Sequence, residues 1–198
     1  MRTHSKIGDR LKSLPRLVRK SSKKAGASPG TLVHVGDQKV DISEISLINF
    51  DKEQLVEENR VAIEDVFTYT DRPTVTWVNV HGLHDVGLIE KIGHGFNLHP
   101  LTMEDILHTG NRPKSEDYDN YLFLVIKMMT YDQEHSHVVA EQVSFILGKS
   151  YILSFQERAS DVFEPVRERI RKSKSRIRSS GCDYLTYALV DAVVDGYF

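Results

Sequence analysis

The spacing of apolar residues changes along the chain, and these changes predict where strands and helices lie. One segment alternates apolar and polar positions and is rich in β-branched residues, while several others are nearly continuous apolar runs. Runs of this kind are typical of strands that are buried on both faces of a sheet. We therefore predict strands at residues 32–35, 45–50, 74–80, 121–126, 143–147 and 151–155.

Short connectors indicate how the last three strands pair. Residues 132–137 and 148–150 leave room only for hairpins, so the strands they join are antiparallel neighbours. Helical spacing in the remaining segments adds layers on both sides, which predicts an α/β fold with a mixed sheet. Helices are predicted at residues 51–59, 85–95 and 99–108, from Ser160 onward and from Asp183 onward. Because no stop signal precedes Phe198, we expect the last helix to continue in a longer protein.

The helix predicted at residues 99–108 organises the chain. Pro100 suits a first helical position, where its missing N–H would have no intrahelical partner. Met103, Ile106 and Leu107 follow at helical spacing and form an apolar stripe. This stripe predicts that one side of a short helix packs into the core.

Two adjacent carboxylates, Glu104 and Asp105, point away from that stripe in the predicted helix. They lie about 100° apart around the helix axis. Like charges at this spacing repel, and a cation beside them relieves the repulsion. Hard oxygen ligands suit Mg²⁺ or Ca²⁺, whereas the plain alternative is a solvated helix face.

Charge is distributed unevenly, although the formal net charge of the 198 residues is only −2. Residues 1–24 hold nine of the 26 Lys and Arg and a single acid, Asp9. The remainder of the chain therefore carries 17 basic and 27 acidic side chains. An acidic body disfavours nucleic acid as a partner and suits cations.

Composition also predicts three parts: a basic tail at residues 1–30, a body at 31–181 and the start of the last helix at 182–198.

No run of 18 apolar residues occurs, which predicts a chain that is soluble as given. Cys182 is the single cysteine, so disulfides and cysteine zinc sites are excluded. His135 and His137 lie on a predicted hairpin tip without the spacing of a zinc site.

Several stretches together resemble the cytosolic N-terminal domain of the CorA family of magnesium/cobalt transporters. The resemblance covers about residues 31–198. It is carried by Thr76-Trp77-Val78-Asn79, residues 99–107 (HPLTMEDIL), Arg112-Pro113-Lys114, Gln142-Val143-Ser144, Phe155-Gln156-Glu157, residues 163–170 (FEPVRERI) and Asp183-Tyr184-Leu185.

The resemblance implies an α/β/α sandwich with a mixed sheet of about seven strands, followed by the start of a long stalk helix. It further implies a homopentamer, anchored in the cell membrane by helices beyond Phe198, with this domain in the cytoplasm. The pore signature of the family does not occur in these 198 residues. We therefore expect a regulatory domain that does not itself conduct ions.

The resemblance also implies a metal site between neighbouring subunits that senses Mg²⁺ and holds the channel closed. Matched position by position, its ligands are Glu104, Asp105 and Asp191. Co²⁺ or another divalent cation is an alternative to Mg²⁺.

Three other classes of function compete with this interpretation. A soluble Mg²⁺-dependent hydrolase could use the same three carboxylates, but it needs a nucleophile or base that the sequence does not reveal beside them. A free-standing metal-binding module needs only the carboxylates. A nucleic-acid binder would rely on the basic tail, and the acidic body disfavours it. We expect no enzyme activity and no nucleic-acid partner.

Overall fold

A seven-stranded mixed sheet forms the centre of the protein in a computed structural model, which describes residues 26, 28–70 and 72–197. The strand order is β2-β1-β3-β7-β6-β5-β4. β3 and β7 are parallel, and every other neighbouring pair is antiparallel. The strands are β1 Glu44–Phe50, β2 Leu55–Asn59, β3 Val75–His81, β4 Lys114–Tyr118, β5 Tyr121–Asp132, β6 His137–Leu147 and β7 Tyr151–Gln156.

Helices cover both faces of this sheet, which confirms the predicted α/β/α sandwich. α1, α2 and α3 pack on one face, and α4 and α5 pack on the other. The helices are α1 Ile63–Val66, α2 Val86–Gly95, α3 Pro100–Leu107, α4 Glu164–Arg171 and α5 Cys182–Asp195. Short 3₁₀ turns at Phe67–Tyr69, Asp161–Phe163 and Arg176–Ser179 complete the layers.

The sheet separates two apolar cores. On the first face, Ile92 of α2 and Ile106 of α3 are fully buried in the same cluster as Phe155 of β7. On the second face, the rings of Trp77 and Phe163 meet edge to face, with centroids 5.6 Å apart. Both cores are continuous because alternate residues of the central strands face opposite layers.

The helix predicted at residues 51–59 is wrong, because this segment forms the β1–β2 hairpin. The carboxylate of Asp51 accepts hydrogen bonds from the N–H groups of Glu53 and Gln54, at 2.8 and 2.7 Å. Asp51 thus closes a turn where the sequence indicated a helix cap. Leu55–Asn59 then pairs antiparallel with β1.

Two other predictions need correction, and one strand was not predicted. Residues 32–35 form only a single parallel bridge, between Val35 and His108. β4 has the polar sequence KSEDY and lies at the edge of the sheet, so no apolar pattern revealed it. The helix expected from Ser160 begins instead at Glu164, after a 3₁₀ turn that the Ser160 side chain does not cap.

The first and last of the three predicted parts can be compared with the structure only in the residues that it describes. Residues 1–25 and 27 of the predicted basic tail lie outside the described residues. α5 begins at Cys182, one residue before the predicted start, and its continuation into a longer helix stays a prediction. In the described part of the chain, no helix is both long enough and apolar enough to cross a membrane.

Candidate divalent-cation site

The start of α3 is held in place by side chains on both sides of Pro100. His99 precedes it in an extended conformation, and its Nδ1 atom accepts a hydrogen bond from the Leu101 N–H at 3.2 Å. The hydroxyl of Tyr121, on β5, accepts from the His99 N–H at 3.0 Å. It also lies 2.9 Å from the hydroxyl of Thr102. The helix is therefore anchored to the sheet at its first turn.

Burial of one side of α3 determines where its carboxylates point. Met103, Ile106 and Leu107 are buried in the first core, as the apolar stripe predicted. Gly93 of α2 allows close approach, because a Cβ atom there would overlap the Met103 side chain. Glu104 and Asp105 occupy the outer side of the helix, where both are half-buried rather than fully exposed.

Glu104 contacts the segment that precedes β1. Its Oε2 atom accepts a hydrogen bond from the Gly30 N–H at 2.6 Å. Gly30 has a positive φ of 82°, a conformation that favours glycine, and its Cα lies close to Pro100. The chain before β1 therefore lies against the start of α3 and reaches one of the predicted ligands.

Asp105 has partners on both carboxylate oxygens. Its Oδ2 lies 2.7 Å from Nζ of Lys114, and its Oδ1 accepts from Nδ2 of Asn111 at 3.1 Å. The same lysine lies 2.8 Å from Oε1 of Glu116. Gln142 donates to the backbone carbonyl of Asp105 at 2.9 Å. Asp105 is thus fixed by an ion pair and two amide side chains.

The charges of this group reinforce one another. Burial by itself lowers the pKa of Lys114, but hydrogen bonds to Asp105 and Glu116 outweigh it and the net pKa is raised. The hydrogen bond from Lys114 lowers the pKa of Glu116. Lys114 therefore stays an ammonium, and Glu116 stays a carboxylate, around neutral pH.

Asp191 lies in the opposite layer of the sandwich. It is exposed on α5, which packs on the second core, whereas α3 packs on the first. The structure therefore brings Glu104 and Asp105 together but does not bring Asp191 to them. Among the described residues, no group of three or more His, Cys, Asp or Glu side chains is arranged to hold a metal ion.

Other candidate residues have structural explanations. Residues 148–150 form a hairpin turn, closed by the Gly148 N–H donating to the Tyr151 carbonyl at 2.9 Å. His135 pairs with Asp132 at 2.9 Å on the tip of the β5–β6 hairpin. Burial raises the pKa of the Cys182 thiol to about 12, which leaves it a poor nucleophile.

Sequence reasoning missed two groups of charged residues. Lys114 and Glu116 lie two positions apart and so on one face of β4, a spacing visible only once that strand is recognised. The second group joins Lys39 to Glu141 of β6 and to Glu157, which follows β7, at 3.2 and 2.9 Å. Lys39 and Glu141 are 102 positions apart in the sequence, so no local pattern could have revealed this group.

Comparison with known proteins shows which family this chain resembles. The model of the family described as CorA-like Mg2+ transporter protein matches residues 73–198. The chain is 45% identical, over 177 residues, to a cobalt/magnesium transport protein CorA of Thermotoga maritima, covering 89% of this chain and 50% of that protein. It is 30% identical over 124 residues to a putative metal ion transporter of Bacillus subtilis, covering 62% of this chain and 36% of that protein.

Solved structures share the fold at low sequence identity. The soluble domain of CorA from Methanocaldococcus jannaschii matches with a TM-score of 0.58 and 11% identity, over 79% of this chain and 59% of that one. The ZntB cytoplasmic domain from Vibrio parahaemolyticus matches with a TM-score of 0.52 and 14% identity, over 77% and 57%. This chain spans half or less of the length of the curated relatives above. By its family match and its identity to the Thermotoga protein, the chain belongs to the CorA-like Mg²⁺ transporter family.

Proposed function

We propose that this chain is the cytosolic, Mg²⁺-sensing domain of a divalent-cation transporter, in which ions bound between neighbouring copies hold the closed state. The printed functions of the relatives, cobalt/magnesium transport and metal ion transport, support this class of protein. The observation that carries the proposal is the placement of the three carboxylates. Glu104 and Asp105 lie in one outer layer and Asp191 in the other, so a complete ligand set requires two copies of the domain.

The proposed ions act by electrostatics between subunits. Carboxylates that face each other across an interface repel, and a bridging dication replaces this repulsion with attraction. Carboxylate oxygens are the ligands that Mg²⁺ prefers. An ion that binds only the closed arrangement stabilises it by about 1.4 kcal/mol per site when its concentration is tenfold above Kd. Five such sites in a homopentamer would dominate the equilibrium between closed and open states, and loss of Mg²⁺ would favour opening.

Placement in a cell membrane belongs to the same proposal, with the anchoring helices outside this chain. An antibody raised against the domain tests it by fractionation of source cells. We expect a membrane-bound polypeptide well above the 22.6 kDa of this chain. A soluble antigen near that mass would contradict the proposal and favour a free-standing metal-binding module.

A metal-dependent hydrolase is the competing class. Its active site would need a nucleophile or general base beside the metal ligands. The side chains that contact Asp105 are instead an ammonium, Lys114, and an amide, Asn111. An ammonium held between two carboxylates neutralises part of their charge. Because it is already protonated, it cannot abstract a proton. We therefore propose a role without catalysis.

Limited proteolysis in native membranes tests the metal ligands. In the polypeptide identified by fractionation, Mg²⁺ is expected to slow cleavage of the wild-type domain. Combined substitution of Glu104→Gln, Asp105→Asn and Asp191→Asn is expected to remove most of that protection. Protection equal to that of the wild type would refute the ligand assignment.

A matched control separates the site from a general loss of negative charge. Asp41, Glu53 and Glu134 are exposed and lie outside α3 and α5. Neutralising these three residues changes the net charge by the same amount. We expect this variant to keep the Mg²⁺-dependent protection.

A further inference from the structure

An ammonium already occupies one side of the candidate site. Nζ of Lys114 lies 2.7 Å from Oδ2 of Asp105 and 2.8 Å from Oε1 of Glu116. Asn111 donates to the remaining oxygen of Asp105. In the described structure, each carboxylate oxygen of Asp105 therefore already has a partner within its own chain.

Lys114 is held in this position from more than one side. It belongs to β4, where it pairs with Val125 of β5. Its ammonium lies 5.7 Å from the centre of the Phe123 ring, and its side chain is half-buried. Lys127, another half-buried lysine nearby, donates instead to the Thr109 carbonyl at 2.8 Å. Lys114 is thus a fixed charge beside Asp105 rather than a freely moving surface side chain.

We propose that Lys114 is the internal counter-ion of Asp105, which a divalent cation must displace or share, and that it sets the affinity and charge selectivity of the site. This inference rests on the proposed function, because it concerns the same carboxylate. Lys114 acts here as a positioning residue, since it would touch Asp105 and not the bound cation.

The selectivity follows from comparing charges. A monovalent ion at Asp105 brings no more charge than the ammonium it would replace, so exchange gains little. A dication brings twice the charge and attracts Asp105 and Glu104 together with a carboxylate of the neighbouring copy. Lys114 therefore lowers the affinity of the site for every cation, and only a dication is attracted strongly enough by several carboxylates to occupy the site all the same.

The affinity effect has a predictable direction and size. A unit charge about 6 Å from a dication weakens its binding about tenfold even at the dielectric constant of water. Removing the ammonium by Lys114→Met should therefore tighten Mg²⁺ and Co²⁺ binding about tenfold. The same change leaves Asp105 and Glu116 without their shared cation, so the metal-free domain should melt at a lower temperature.

The test compares variants of the native membrane polypeptide in detergent, by thermal melting against Mg²⁺, Co²⁺ and K⁺. Lys114→Met should show a Mg²⁺ midpoint about tenfold below that of the wild type and a new stabilisation by K⁺. Lys114→Arg keeps the charge and should stay within about twofold of the wild type. Lys52→Met removes an exposed lysine at the far side of the sheet and should leave the midpoint unchanged.

Glu116→Gln keeps the test decisive if Lys114→Met does not fold. With Glu116 neutral, Lys114 pairs with Asp105 alone, so Mg²⁺ binding should weaken several-fold. The inference is overturned if the Mg²⁺ midpoint of Lys114→Met, or of Glu116→Gln where Lys114→Met does not fold, stays at the wild-type value or moves in the opposite direction. A purely structural lysine would lower the metal-free melting temperature without moving the Mg²⁺ midpoint.

Asp105→Asn shows whether a negative result with Lys114→Met concerns only the role of Lys114 or also the proposed function. If Asp105→Asn weakens Mg²⁺ binding while Lys114→Met leaves it unchanged, only the role of Lys114 is wrong. If neither variant changes the Mg²⁺ midpoint, Asp105 is not a ligand and both proposals fail.

Discussion

Lys39 is expected to stabilise the domain strongly because it compensates two buried carboxylates. Its Nζ lies 3.2 Å from Oε1 of Glu141 and 2.9 Å from Oε2 of Glu157. These glutamates are only 1% and 6% exposed, whereas the lysine side chain is 25% exposed. Arg158 gives Glu141 a second partner at 2.7 Å. Among the residues that the structure describes, Lys39→Met would therefore leave Glu157 as the carboxylate without a cation in contact.

The cost can be estimated from this arrangement. Removing one partner of a buried ion pair costs about 3–5 kcal/mol, because the other charge stays buried. Lys39 keeps some exposure and Arg158 still neutralises Glu141, so we expect a loss of about 2–3 kcal/mol. With a urea dependence of about 2 kcal/mol per M, the unfolding midpoint should fall by roughly 1 M.

Urea unfolding of the 198-residue chain, followed by far-UV circular dichroism, measures this loss. Lys91→Met is the matched control, since Lys91 pairs with Glu64 at 3.5 Å and both side chains are about two-thirds exposed. It should cost at most about 1 kcal/mol. Adding Glu157→Gln to Lys39→Met removes the uncompensated charge and should restore much of the stability.

Equal effects of the Lys39 and Lys91 substitutions would refute this reasoning. So would a double variant no more stable than Lys39→Met. Either result would mean that the buried charges are solvated or compensated in some other way.

Three further predictions concern separate parts of the fold. Cys182 should react with iodoacetamide at pH 8 about three orders of magnitude more slowly than a thiol with its usual pKa of 9.0. Unfolding the chain in urea should remove this difference. Rapid labelling of Cys182 in the folded protein would contradict its burial. Asp85→Ala removes the acceptor for the Leu88 N–H at 2.9 Å and should cost about 1 kcal/mol in urea unfolding, and no loss would exclude this cap. Hydrogen bonds from Arg171 lower the pKa of Glu57 below its usual 4.5. This pair therefore stabilises the fold above pH 4.5 and ceases to do so as the pH falls through the lowered pKa. The free energies of unfolding of wild type and Arg171→Met should accordingly converge in acid.

Elements with strong local signals were predictable from the sequence. α3 combined a proline at its first position with an apolar stripe, and β7 was a short apolar run after a three-residue turn. Asp85 does cap α2, as its position suggested. In each case the local preference agrees with what the core requires, so one sequence pattern was enough.

Elements governed by tertiary context were not predictable in this way. Asp51 can cap a helix or close a turn, and pairing of β2 with β1 decided in favour of the turn. β4 is polar because it lies at the sheet edge, where only one side has a strand neighbour. Charged residues on an edge strand also oppose unwanted pairing with other chains, which hides the strand from a search for apolar patterns.

For the candidate site, only the proposed ligands had a signal in the sequence. Adjacent carboxylates on α3 were visible in the sequence, and the family resemblance added Asp191. The partners of those carboxylates, Gly30 and Lys114, come from other segments of the chain. Their contacts depend on how the fold is assembled and could not be inferred from spacing.

We propose that divalent cations bind between copies of this domain. The most direct measurement is an anomalous-scattering crystal structure of the native protein with Co²⁺. We expect a Co²⁺ peak within ligand distance of Glu104 or Asp105 of one copy and Asp191 of its neighbour, and no peak in the variant with all three neutralised. Co²⁺ bound entirely within one copy, or away from α3, would contradict binding between copies.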